Sequence, residues 1–194
     1  MTSMFSTALM GLFLLSNVST TTISALDWTT ESPEAPKYKT IETYSVGMSG
    51  YNAVPEQTDE SPNVTASGTA PIPDVTAARS RDLADELPFG TVIEIVPTDG
   101  PFSTSCGLSV VGENIGLRVI TDTMHQRKKN QVDILFNTDD IVRVGTRRLN
   151  PAVAFGICKN VDIRVVGKVD MARLPKTQMA LRTLIKKASL ALGQ

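Results

Sequence analysis

The stretch ITDTMHQRKKNQVDILF (Ile120–Phe136) carries two aspartates, Asp122 and Asp133, each set against aliphatic or β-branched residues, with a basic polar loop between them. Val132, Ile134 and Phe136 recur at every second position, which marks a strand with one apolar face and puts Asp133 on the other face. LRVIT, just before Asp122, reads the same way. The spacing therefore predicts two adjoining strands, ~4.8 Å apart, with a carboxylate at each mouth. Such a loop is either a surface turn, Asp122 capping it and Asp133 pairing with Arg127 or Lys129, or one wall of a site.

Outward from this stretch, further segments are strand-like, alternating clearly in TVIEIVP and weakly in IETYSVGMSGYNAV. IETYSVGMSGYNAV (Ile41–Val54), the start of VTAARSRDLADELPFG (Val75–Gly90), TVIEIVP (Thr91–Pro97) and VDIRVVGKVD (Val161–Asp170) all read as strands, separated by Pro-, Ser-, Thr- and Gly-rich turns. A helical turn is expected before Pro88 and Gly90. FNTDDIVRVG (Phe136–Gly145) resembles a short helix, with Asn137 or Thr138 as N-cap and Asp139 and Asp140 at its positive end. Short strands at close intervals with little helix predict a mainly β fold, a closed barrel or a sandwich. KTQMALRTLIKKASLALGQ (Lys176–Gln194) departs from this pattern: Met179, Leu181, Leu184, Ile185, Ala188 and Leu192 fall near helical spacing, with cations between them. A basic amphipathic helix of this kind either packs on the barrel or makes peripheral contact with a membrane surface.

The 194 residues, 41% of them apolar, suffice for one domain with extensions at both ends. Residues 1–25 carry no charged side chain, and the apolar run Met4–Leu15 is shorter than the ~20 residues a spanning helix needs. The run fits a secretory signal cleaved near Ala25, with an uncleaved anchor as the alternative. Residues 26–42 read as a linker, 43–168 as the β domain and 169–194 as a helical tail. The net charge of −1 points to no nucleic-acid partner. It is unevenly spread: Leu26–Gly90 holds 11 acidic and 4 basic residues, Thr91–Gln194 holds 9 and 15. That split either steers an anionic polymer to one face or joins two halves of one domain. In an exported protein the two cysteines, Cys106 and Cys158, commonly pair; two buried thiols are the other reading. Two Cys and one His, far apart in sequence, make no zinc site, and no motif for a cofactor is present.

Two carboxylates within several ångströms oppose each other's ionisation, and a proton held in that way is what general-acid cleavage of a glycosidic bond uses. Arg127, Lys128 and Lys129 act in the opposite sense. His125, the single histidine, lies in the same loop and suits a positioning or binding role.

Four segments in order, YNAVPEQTDESPNVTASG (Tyr51–Gly68), SRDL (Ser80–Leu83), LPFGT (Leu87–Thr91) and TDTMHQRKKNQVDI (Thr121–Ile134), resemble the 3D domain, named for three aspartates. That family is similar to the C-terminal part of membrane-bound lytic transglycosylase A and, more distantly, to the barrels of rare lipoprotein A and expansins. The resemblance spans roughly Tyr44–Gly145. It implies a six-stranded double-psi β-barrel, an extracytoplasmic location and an acidic groove for peptidoglycan glycan strands. The three aspartates fall on Asp82, Asp122 and Asp133. Asp133 takes the place of the family's essential acid, Asp122 would hold or tune it, and Asp82 would be a groove or structural partner. Tyr51, Thr65, Ser67, Thr123, His125, Arg127 and Lys129 are the expected substrate-binding positions. The implied reaction is non-hydrolytic cleavage between N-acetylmuramic acid and N-acetylglucosamine, leaving a 1,6-anhydro end without metal or cofactor. Where the family commonly has Asp-Thr-Gly, this chain has Asp122-Thr123-Met124-His125 and a basic loop. Barrels of this kind also occur in proteins that bind polysaccharide without cutting it, and in phage lysis or virion components.

Overall fold

The computed structural model describes residues 38–58, 61–96 and 106–191. The expected signal and most of the expected linker lie outside the described residues. Six strands close into a barrel: β1 (Glu42–Tyr51), β2 (Thr76–Arg79), β3 (Thr91–Ile95), β4 (Leu117–Thr123), β5 (Gln131–Leu135) and, last in the chain, β8 (Ile157–Lys168). Each falls in a segment read as a strand, although β2, Thr-Ala-Ala-Arg, is buried at every position and does not alternate. A 3-10 turn at Arg81–Leu83 follows β2, as expected before Pro88. Around the barrel the order is β1-β5-β2-β4-β3-β8. Two neighbouring pairs, β1 with β5 and β2 with β4, run parallel.

This order corrects one expectation. β4 and β5 are joined by a short loop but are not neighbours, because β2 lies between them and pairs with both. A second correction concerns Phe136–Gly145. Asn137 does cap, its Oδ1 accepting from Asp139 N–H at 3.2 Å, but the cap closes a turn. The chain then forms β6 (Val142–Val144), which pairs with β7 (Arg147–Leu149) in a hairpin. The β-branched residues of Ile-Val-Arg-Val outweigh the acidic start of a helix.

The barrel buries apolar residues on both its faces. Val46, Met48, Ala77, Ile93, Ile120, Val132, Ile134, Val161 and Ile163 fill the interior cluster. Outside, Val75, Val92, Leu117, Val119, Val166 and Val169 form a second patch, closed by Leu181 and Ile185 of the terminal helix α3 (Gln178–Ala191). The tail therefore packs on the barrel through one narrow stripe, while Met179, apolar by its spacing, faces outward. Gln178 fixes the register of this helix, its Nε2 donating to Leu117 O at 2.6 Å and its Oε1 accepting from Leu117 N at 3.1 Å. Gly116, at φ +61°, makes room for that amide: a Cβ there would lie 2.3 Å from Gln178 Oε1. Leu181 is fully buried, so Leu181→Ala is expected to destabilise the fold by about 2–5 kcal/mol, read from urea denaturation.

Two short helices, α1 (Leu108–Ile115) and α2 (Pro151–Phe155), close the other side of the core. Cys106, ahead of α1, is bonded to Cys158 on β8, with Cα atoms 5.2 Å apart. Gly107 beside it touches α2 so closely that a Cβ would fall 1.9 Å from Ala154 O.

Candidate active site

A β-bulge aims the first aspartate. Ala77 pairs with Ile120, but Ala78 pairs with Asp122, so Thr121 is an extra residue in β4. Without it, alternation would turn Asp122 toward the interior with Ile120. With it, Asp122 stands on the outer face beside Ala78. The same Ala78 pairs on its other side with Asp133 of β5. One row across three strands therefore reads Asp122, Ala78, Asp133, with the small side chain between the two acids. Two strand spacings put their Cα atoms roughly 10 Å apart.

The row forms the floor of a cleft of about 720 Å³, lined also by Tyr51, Gln57, Thr65, Ala66, Thr123, Met124, His125, Lys128 and Arg81. The loop after β1 is its roof, tied to the bulge at two points. Ser67 N–H donates to the carbonyl of Thr121 at 3.1 Å, and Ala66 N–H donates to Asp122 Oδ1 at 2.8 Å. Asp122 Oδ1 also accepts from Thr123 N–H at 2.8 Å, and its Oδ2 accepts from the Tyr51 hydroxyl at 3.2 Å. Three donors thus fix the Asp122 carboxylate. Burial, with Asp122 and Asp133 nearby, pushes the Tyr51 phenol far above its ordinary range, so it remains a donor.

Asp133 differs. Burial raises its carboxyl to about 6, with a Ser49 hydrogen bond and the charge of Lys128 acting in the opposite direction. Its Oδ1 is buried with no hydrogen-bond partner among the described residues. The expectation that a second carboxylate holds the proton is thereby corrected: the cause is desolvation, and the other acid stands across Ala78. Ser49 is the direct cross-strand partner of Asp133 on β1, and Gln131 Nε2 donates to Ser49 Oγ at 3.0 Å. That bond leaves the Ser49 hydroxyl proton directed at Asp133, where it favours the ionised form. Ser49→Ala is expected to move the Asp133 titration above about 6, measurable by NMR titration of its side-chain carboxyl carbon.

The third aspartate serves the scaffold. Asp82 lies in the 3-10 turn, outside the cleft lining, and its Oδ2 accepts from Asn130 N–H at 2.9 Å. That bond and one from the Ser80 hydroxyl hold its carboxyl below the ordinary range. Asn130 makes the expected turn into β5, at φ +46°. Gln131 N–H donates to Ser80 Oγ at 3.0 Å, so Ser80 and Asp82 together set where β5, and hence Asp133, begins.

Of the expected binding residues, Tyr51, Thr65, Thr123 and His125 line the cleft, whereas Ser67, Arg127 and Lys129 do not. Ser67 instead closes a ring of hydroxyls with Thr65 and Thr69, at 3.0–3.1 Å, that stiffens the roof. Of the three loop cations it is Lys128 that reaches the cleft, and Arg81 joins it from the turn after β2. Comparison with protein-family models returned no match, and a search of curated proteins found no relative. Function is therefore argued from the site.

Proposed function

We propose that this protein is a peptidoglycan lytic transglycosylase that uses Asp133 as its single acid and base. The observation that carries the reading is Asp133 itself: a carboxyl kept protonated to about pH 6 by burial, in the floor of an open cleft. Such a group can give its proton to the bridging oxygen as the C1–O bond breaks. The resulting carboxylate can then take the proton of the muramyl 6-hydroxyl as O6 bonds to C1. Asp133 ends as it began, and no water is consumed. Asp122, held by three donors, keeps the roof and Tyr51 in place.

The parallel pairs β1–β5 and β2–β4 support a barrel of the double-psi type, and the Cys106–Cys158 bond supports an oxidising, extracytoplasmic setting. The test is digestion of murein sacculi with product analysis by mass spectrometry. Muropeptides with 1,6-anhydro ends are expected, while reducing ends would indicate hydrolysis and retention without products a binding module. Because the acid must be protonated, kcat/KM of the free enzyme should fall about tenfold per pH unit above pH 6.

A further inference from the structure

Among the described residues, the outward face of α3 packs against neither the barrel nor the cleft. Met179, Thr183, Lys186 and Leu190 recur at helical spacing on the side opposite Leu181 and Ile185. Met179 is 79% exposed and Leu190 66% exposed. Arg182 and Lys187 flank this stripe, and Lys176 lies just ahead of the helix. No acidic residue occurs anywhere from Pro175 to Gln194. Of the acids near the helix, Glu94, which together with Arg182 acts on Tyr38, is engaged by Arg164 at 3.9 Å, and Asp74 meets the inward-turned Gln178 through its carbonyl, on the barrel side of the helix start.

We propose that α3 docks this protein peripherally onto an anionic lipid surface. The chemistry of the face selects that occupant. A row of cations with no acid among them matches anionic headgroups, at about a fivefold gain in binding for each lysine near the surface. The exposed Met179 and Leu190, between those cations, suit the acyl boundary just below the headgroups. A soluble polyanion would use the charges and leave both apolar side chains in water. Leu181 and Ile185 stay buried against the barrel in this pose, so docking requires no unfolding. It would hold the enzyme beside its bilayer with the helix lying flat, independently of what the cleft accepts.

The test uses the full chain with a reporter on the helix, so that the apolar N-terminal run does not decide the outcome. Met179→Trp is placed in a Trp28→Phe background and mixed with phosphatidylglycerol or phosphatidylcholine vesicles. Emission is expected to shift to the blue and to be quenched by brominated acyl chains with phosphatidylglycerol alone. Lys186→Gln with Lys187→Gln should weaken that response about 30-fold while leaving the melting temperature unchanged. No shift, an equal shift with phosphatidylcholine, or a shift reproduced by soluble polyphosphate without acyl-chain quenching would overturn the proposal.

Discussion

Asp133→Asn is expected to give a protein that releases no anhydro-muropeptides and yet resists urea better than its parent at pH 7. The loss follows from removing the acid that the proposed reaction uses. General acid–base groups contribute typically 10²–10⁴-fold, so the residual rate should fall at least that far. The gain in stability follows from the same burial. Asp133 titrates at about 6 in the folded protein against 3.8 for an ordinary aspartate. Between those values the folded chain binds a proton that the unfolded chain does not, so stability falls as pH rises through the window. Above pH 6 the penalty is complete, and at 1.36 kcal/mol per pH unit it comes to about 3 kcal/mol. Asparagine resembles the protonated form and escapes that penalty. Urea denaturation of both proteins should separate them at pH 7 and bring them nearly together at pH 4. Equal stability at pH 7 would mean that Asp133 ionises freely, and the mechanism would lose its acid.

Opening the Cys106–Cys158 bond should have the second large effect. The two residues are 52 apart in sequence, and the enclosed segment includes β4, β5 and the β6–β7 hairpin. Chain entropy for a loop of that size gives about 4 kcal/mol of stabilisation. For a domain of this size the melting temperature should drop by about 8–16 °C, at roughly 2–4 °C per kcal/mol. Replacing both cysteines by alanine, or adding reductant, and following the melt by circular dichroism measures it. Neither cysteine lines the cleft, so activity well below the melt should persist. A melt indifferent to reductant would show that the loop is held by packing alone.

Strands and chemistry were legible in the sequence to different depths. The barrel strands could be read because apolar and β-branched residues recur in short runs that Gly or Pro punctuates, although β2, buried at every residue, shows no alternation. The neighbours of each strand could not: alternation assigns faces, and nothing local announces that Thr76–Arg79 inserts between β4 and β5. The bulge at Thr121 escaped for the same reason, since an extra residue becomes visible only against its partner strand. Asp122 and Asp133 stood out as charges among aliphatic residues. Ser49 did not, because a serine on a strand is unremarkable until register sets it opposite Asp133. Lys128 could not be told from Lys129 and Arg127 without the shape of the loop. Asp139 and Asp140 misled, being good helix starters placed before residues that prefer extended backbone.

The strand order has one more consequence. The gap between the two acids is measured in whole strands, by backbone ladders that side-chain changes in the interior cannot stretch or shorten. Drift in the core can therefore alter how firmly the barrel holds together without altering the width of the cleft. Ala78 lies between the two acids in that row, and a larger side chain there would narrow the opening between them.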